Sequence, residues 1–488
     1  MNDWIVSLLL LGALSSQSGD MPFWATANRF GIMPDGNGGL ALLKAEKGFD
    51  DSQTLQWRLG ASLGMRTDPV EYKDFLLDEF YGSLRWKNLR LDAGLWHPTQ
   101  EFMAADSHLG TLSLTGGHSI MTGNARPMPG YSISLEPWNI PFTNGHLQLC
   151  GSFGDYFTTG PRYVSGSMVH NTGIFLKWNI GEHITLTGGA DNYTVWGGTS
   201  PSHGVFKKNL DNYLRVITGR AGGADAQGGE QINALGDHRG CEIFRFEYRA
   251  DSWALTLQHD IPYDDKSGVI FRNFPDGVNT ASFSFKDKKG WVSDIVYEYA
   301  NTMYQGGPRE RREATEEEIA SGSRRLYTDP NTGVVYYIAG GADNYYNNYL
   351  FRSGWTNYGR TIGIPLFFPR GTVEGTWSRK NATMGIWSNL LKAHHVALSG
   401  SMFHVLPYKL MLTFSESYGT YLDEGYSYDS GSLLSTPLRQ FSSAFMFEFP
   451  LYEGIIKVVP AIYYDRGDVL PNVFAATLSV KYSLEKIN

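Results

Sequence analysis

The chain is organised around its last strand, Val473–Leu484, VFAATLSVKYSL. Phe474, Ala476, Leu478, Val480, Tyr482 and Leu484 share one face, and Ala475, Thr477, Ser479, Lys481 and Ser483 share the other. Side chains alternate along a strand, so one face here is apolar and the other small and polar. The stretch is long enough to cross a hydrocarbon layer as a tilted strand, which takes about 9–11 residues. In a soluble sandwich the polar face would meet bulk water. In a membrane barrel the apolar face meets lipid and the polar face meets the lumen.

The rest of the chain favours the barrel. Leu55, Trp57, Leu59, Ala61 and Leu63 alternate with Gln56, Arg58, Gly60, Ser62 and Gly64. Phe75 to Trp86 and Leu89 to Trp96 flank Lys87-Asn88, a two-residue hairpin connection. Strands are also read at Tyr131–Leu135, His146–Phe153, Ile174–Ile180, Ile184–Asp191, Cys241–Tyr248, Trp253–Asp260, Ala281–Lys286 and Trp291–Ala300. Thr376–Ser388, His395–His404, Tyr408–Tyr418, Leu438–Phe449 and Ile455–Tyr464 follow. Arg58, Asp78, Arg90, Arg245, Glu247, Asp260, Glu298, Lys457 and Lys481 lie on the polar faces, and the apolar faces carry almost no charge. A Lys or Arg facing lipid at mid-membrane costs about 2–4 kcal/mol, whereas a lumen charge is hydrated or paired. The expected fold is all-β: a large antiparallel transmembrane β-barrel of roughly 16–18 strands, with lumen-filling loops and short helices. It takes residues 1–488 as one domain.

Composition agrees. Aromatic residues make up 14 %, with 28 Tyr and 13 Trp, enough for interfacial girdles. Mean hydropathy is only -0.27, and no apolar run approaches the ~18 residues of a spanning helix; alternation hides a barrel's hydrophobicity. The net charge of -8 gives no support to nucleic-acid binding. Cys150 and Cys241 are expected to stay unpaired. Trp4 to Leu14 has the apolar run of a signal peptide, but Met-Asn-Asp before it carries no Lys or Arg. It is read as the first strand, with the export signal upstream.

Several stretches break the alternation. Residues 97–129, containing TGGHSIMTGNARPMP, are expected to be a lumen plug. Thr194 to Gly240 is a long loop with a short helix near Asn209 to Thr218. Residues 305–337 form a charged loop insertion (PRERREATEEEIASGSRR) whose charges are read as a solvated face.

Catalytic patterns are weak. Asp78-Glu79 and Asp264-Asp265 are neighbours that point to opposite faces if extended, so neither makes a glycosidase pair. His97, His108 and His118 lack metal-ligand spacing. No catalytic residue, cofactor or metal is expected. The run Asp343-Asn344-Tyr345-Tyr346-Asn347, with Trp355 nearby, sets flat rings beside amides. Such a surface suits the apolar faces and hydroxyl rims of sugars, and equally an aromatic girdle with loop-packing amides.

Four segments carry a family resemblance: SGDMPFWATANRFG (18–31), LSLTGGHSIMTGNARPMPGYSI (112–133), VIFRNFPDG (269–277) and GGADNYYNNYLFRSGWTNYGRTIGIPL (340–366). Through them the chain resembles the Wzi family of capsule-assembly outer-membrane proteins, in its Bacteroidetes-type branch. The resemblance implies a non-catalytic, lectin-like barrel in the cell outer membrane that helps hold capsular or other surface polysaccharide. It implies loops and short helices filling the lumen. Asp343, Asn344, Tyr345, Tyr346, Asn347 and Trp355 are the expected glycan contacts. Asn124, Arg126, Pro127, Pro129 and Arg360 are expected to be structural, with Arg126 bridging lumen carboxylates. A monomer in outer-membrane lipid is expected. An open porin or sugar channel, and a scaffold subunit of an outer-membrane complex with protein partners, are the alternatives.

Overall fold

A computed structural model describes residues 4–16, 20–67, 73–98, 106–107, 109–224, 226–231, 233–264, 271–307, 310–322, 326–329, 332–339, 343–372, 385–421 and 433–484. Eighteen antiparallel strands close into one barrel. In chain order they are β1 (Trp4–Ser15), β2 (Gly38–Lys47), β3 (Leu55–Thr67), β4 (Lys73–Trp86), β5 (Leu89–Leu95) and β6 (Gly130–Asn139). Next come β7 (Leu147–Phe157), β8 (Met168–Ile180), β9 (Ile184–Trp196), β10 (Asp237–Arg249), β11 (Trp253–Asp264) and β12 (Gly277–Phe285). The last six are β13 (Asp294–Asn301), β14 (Leu391–Met402), β15 (Leu406–Ser417), β16 (Leu438–Phe447), β17 (Ile456–Gly467) and β18 (Val473–Leu484). Each strand pairs with its sequence neighbours, and β1 closes on β18 through Leu8↔Tyr482 and Gly12↔Leu478. Closure leaves no unpaired edge, as a spanning sheet requires in hydrocarbon. Trp4–Ser15 is thus a wall strand. Of the expected strand over 376–388, residues 376–384 lie outside the described residues and 385–388 are irregular. His108 and Asp265 also lie outside them.

The barrel is apolar outside and polar inside. Leu63, Met65, Phe474 and Leu478 are exposed, while the alternating Ser62, Arg66, Ala475 and Thr477 are buried in the lumen. The outward apolar side chains face away from the lumen and leave much of their surface uncovered, so lipid covers them.

Loop length gives the orientation. Turns 87–88, 181–183, 250–252 and 403–405 are short and lie at one end; segments 96–129, 197–236 and 302–390 leave the other. Barrels of this type keep short turns in the periplasm and long loops outside. Trp4, Trp86, Trp138, Trp178 and Trp291 are exposed at the periplasmic end, and Phe75, Tyr131, Phe157 and Phe474 at the outer end. These are the two interfacial girdles. Outside the membrane, Asn209 caps α1 (Leu210–Thr218), and Thr315 and Glu318 form a capping box on α2 (Glu316–Ser321). Beside α2, Glu310–Glu313, Leu326–Thr328 and Val335–Ala339 make a small three-stranded sheet.

Leu478 sits midway along β18 on the lipid face. Leu478→Arg is expected to lower barrel stability by about 2–4 kcal/mol. Denaturant unfolding from lipid vesicles measures it, and an unchanged midpoint would refute the lipid-facing assignment.

Candidate functional site: the plugged lumen

Irregular segments fill the outer half of the lumen. Residues 20–36 include the single helical turn Phe23–Thr26; residues 109–129 and 343–372 interleave with it. Phe23, Trp24, Leu112, Leu114, Ile120, Tyr346, Trp355, Ile364 and Phe367 form one buried core with wall residues Val169, Ile243, Val278 and Val296. Plug and wall therefore share a hydrophobic core.

An irregular chain at membrane depth must satisfy its own backbone polar groups. Wall carboxylates do this. Glu298 on β13 accepts from Ser113 Oγ (2.8 Å), Thr115 Oγ1 (2.8 Å) and the Leu114 amide. Asp260 on β11 accepts from the Ser119 amide (2.5 Å) and Oγ (2.7 Å). Asp465 on β17 accepts from the Phe23 amide at 2.7 Å, and Asp264 on β11 from the Tyr346 amide at 2.8 Å. Wall cations take plug carbonyls: Lys409 Nζ reaches Leu109 O (2.9 Å) and Thr111 O (3.1 Å), and Arg66 Nη1 reaches Gly31 O (3.2 Å) and Met33 O (3.3 Å).

The expected glycan contacts are inside this plug. Tyr345, Tyr346 and Trp355 are 0 % exposed, and Asp343 and Asn347 are buried. Tyr345 Oη donates to Asp276 (3.0 Å), Tyr346 Oη to Ser119 O, and Trp355 Nε1 to Ile120 O (2.6 Å). Asn347 exchanges two bonds with the Ile386 backbone, Asn344 accepts from Asn389 (2.6 Å), and Asp343 accepts from Asn273 (2.6 Å). This corrects the surface expectation: these rings build the plug core, and their amides satisfy its backbone. On the outer loops, Tyr163 and Tyr358 offer rings closer to solvent, with the Arg352 guanidinium 4.9 Å from the Tyr163 ring centroid. Isolated Tyr residues in irregular sequence gave no periodic signal for them.

The motif residues are structural partners. Asn124 Nδ2 donates to Thr361 O at 2.9 Å, and Asn357 Nδ2 to the carbonyls of Arg126 (2.9 Å) and Pro127 (3.5 Å). Pro129 O accepts from the Phe157 amide at 2.8 Å, and Arg360 pairs with Asp35. Arg126 Nη1 reaches Asp78 at 3.1 Å.

Asp78 and Glu79 depart from the extended expectation. The β3–β4 register shifts between Ser62 and Leu63, leaving Asp78 as an extra residue, so both acids are buried on the lumen side. A bulge does this by adding one residue to one strand. With His97 they cluster closely enough to suggest a metal site, as do His118, Cys241 and Asp260. The donor sets fit a metal poorly. Arg126 and Lys44 already pair with Asp78 and Glu79, and Lys44 Nζ lies 3.0 Å from Glu79. His118 Nδ1 accepts from the Ile120 (3.2 Å) and Met121 (3.0 Å) amides, so its proton sits on Nε2, 3.2 Å from Asp191. That leaves the ring no lone pair for an ion. Cys150 and Cys241 are buried thiols that do not form a disulfide.

No protein-family model and no curated protein matches the sequence. Among solved structures the fold is similar to Wzi of Escherichia coli, described as a carbohydrate-binding β-barrel of the outer membrane involved in group 1 capsule assembly. The identity is 12 %, the TM-score 0.56, and the match covers 97 % of this chain and 83 % of that one. The chain is an outer-membrane-type β-barrel. Pseudomonas aeruginosa OccK2, solved with glucuronate, and OccD3 match at 11 % and 10 % identity with TM-scores of 0.46 and 0.45. These matches cover 99 % and 100 % of this chain, and 98 % and 92 % of theirs.

Glu298→Ala would orphan up to three plug donors at about 1–3 kcal/mol each. The expected result is a lowered unfolding temperature and raised single-channel conductance, with strand content unchanged by circular dichroism. Glu230, in the outer 197–236 loop, accepts from the Gly236 amide at 2.9 Å, and burial pushes its carboxyl up to about 7. The folded loop thus prefers the protonated form. Its stability is full below the ordinary glutamate pKa, near 4.5, and falls by about 3 kcal/mol as pH rises through about 7. Hydrogen exchange across 197–236 should therefore quicken between pH 5 and pH 8 beyond the intrinsic rate change. Glu230→Gln should remove that excess.

Proposed function

We propose that this barrel holds a surface polysaccharide, capsular where the host makes a capsule, at the outer face of the cell without chemistry. The carrying observation is the plug: a lumen filled by hydrogen-bonded segments that share the wall's core is suited to presenting a fixed outer surface rather than conducting solute. The likeness of fold to a carbohydrate-binding barrel supports the same reading. The glycan contacts fall on the outer loops, at Tyr163, Arg352 and Tyr358. Their rings and guanidinium suit sugar C–H faces and hydroxyls.

Deleting the gene in its encapsulated host should move polysaccharide from the cells to the medium at unchanged total. Tyr163→Ala with Tyr358→Ala should reproduce the shift with the barrel still assembled. Polysaccharide that stays on the cells in normal amount after deletion would overturn the proposal. High single-channel conductance of the wild-type barrel in planar bilayers would favour the channel alternative.

A further inference from the structure

Beside the plug the lumen holds a second feature. A cavity of about 350 Å³ runs between the plug, at His118 and Met121, and the β5–β9 wall, from Trp96 and Tyr156 at the outer strand ends to Arg90 and Glu136 near the periplasmic ends of β5 and β6. The volume is at the lower end of the range for small-molecule sites, about 300–1,000 Å³. One wall is aromatic: Trp96 and Tyr156 meet with ring centroids 5.9 Å apart and planes at 44°. The remaining lining mixes apolar side chains, among them Met121, Leu135 and Phe175, with polar groups held in place by one another. Asn171 Nδ2 donates to Asp191 Oδ1 at 2.6 Å, while Asp191 Oδ2 takes the His118 contact at 3.2 Å. Arg90 is occupied on both sides, by Asp92 at 2.8 Å and Glu136 at 3.2 Å. Carboxylates outnumber guanidinium groups in this lining, so an anion entering it meets net repulsion.

We propose that this cavity is a periplasm-facing subsite for one neutral saccharide unit, a hexose or N-acetylhexosamine, either free or at the end of a chain. Ring faces at Trp96 and Tyr156 cover the sugar's apolar C–H surface. Carboxylate and amide oxygens around the rim accept from its hydroxyls, and the Asn171 amide and Arg90 hold those acceptors fixed. Glu136 and Pro137 bring one end of the cavity to the periplasmic end of β6, and the ligand enters from that side. The inference deepens the glycan reading proposed above and rests on it for the class of ligand.

The test is saturation-transfer NMR on the full chain in detergent. The probes are methyl glycosides of glucose, galactose and N-acetylglucosamine, capsule-derived oligosaccharides, and glucuronate. At least one neutral glycoside should bind saturably, with glucuronate at least ~10-fold weaker, a difference of about 1.4 kcal/mol. Ser134→Trp, which places an indole in the cavity, should weaken neutral binding at least ~10-fold. Glu136→Gln, at a half-exposed position, should preserve the fold and narrow the gap between neutral sugar and glucuronate. Tighter binding of an oligosaccharide than of its methyl glycoside identifies a chain end as the ligand; equal binding identifies the free unit. No saturable binding of any neutral sugar to folded wild-type protein would overturn the subsite. So would binding that survives Ser134→Trp but is lost with Tyr163→Ala and Tyr358→Ala, an outcome that leaves surface attachment standing. Binding lost with Ser134→Trp, in a host that keeps its polysaccharide after gene deletion, supports the subsite and overturns surface attachment.

Discussion

The structure depends on one kind of contact: a wall carboxylate accepting backbone amides of a chain that has no secondary structure of its own. A strand in this barrel satisfies its backbone through its neighbours. The plug cannot, because residues 109–129 and 343–372 are almost entirely irregular. At membrane depth there is little bulk water to take up the remainder. Glu298, Asp260, Asp264 and Asp465 supply acceptors at fixed heights on the wall. A carboxylate offers about four lone-pair sites, so one residue can hold a whole turn of loop, as Glu298 does for Ser113, Leu114 and Thr115. The same device recurs where the plug meets the outer loops. Asp276, just before β12, accepts the Tyr304 and Gln305 amides, each at 2.7 Å, and burial pushes its carboxyl up to about 6.

The lumen charges therefore fall into two tiers. In the outer tier several face plug backbone, and Lys409, nearer the periplasmic end of β15, reaches the same backbone from the other side. In the periplasmic tier they pair with one another along and between strands: Arg58 on β3 with Asp92 on β5 at 3.0 Å, Arg245 with Glu247 two residues along β10 at 3.2 Å, and Lys457 with Glu448 at 3.2 Å. Several of these side chains remain partly exposed, so the second tier sits in a wetter space and each pair contributes little to stability. The division follows from which loops are long, because only outer loops are long enough to fold back into the lumen.

Much of the wall was legible from alternation. Strands such as Leu55–Thr67 and Val473–Leu484 carry lipid on one face and small polar groups on the other, and repetition of that pattern with uncharged apolar faces separates a barrel from a soluble sheet. Gly38–Lys47 was not legible. Its inward Leu40 packs with Met33 and Leu76 in a small satellite core, so GGLALL reads as a continuous apolar run instead of an alternating one. Asp78-Glu79 was misread because a bulge leaves no mark in local composition. The Tyr345-Tyr346-Asn347 run was misplaced for a different reason. A plug core needs flat apolar rings and amides that satisfy irregular backbone, and a sugar-binding surface needs the same two things. Composition cannot separate them; burial does.

That equivalence has a structural consequence. The plug's aromatic core at Tyr346 and Trp355 continues without a gap into wall residues such as Ile243 and Val296. Moving the plug would expose large apolar side chains and also strip the wall carboxylates of their donors. Each acid would then be left in a lumen with fewer partners, which is costly for a charged group. The two losses coincide because the same loop residues supply the amide and the adjacent side chain: Leu114 donates to Glu298 while its own side chain is 0 % exposed. Release of one contact therefore weakens the next. Plug and wall are thus coupled through shared residues, each contact holding the next in place.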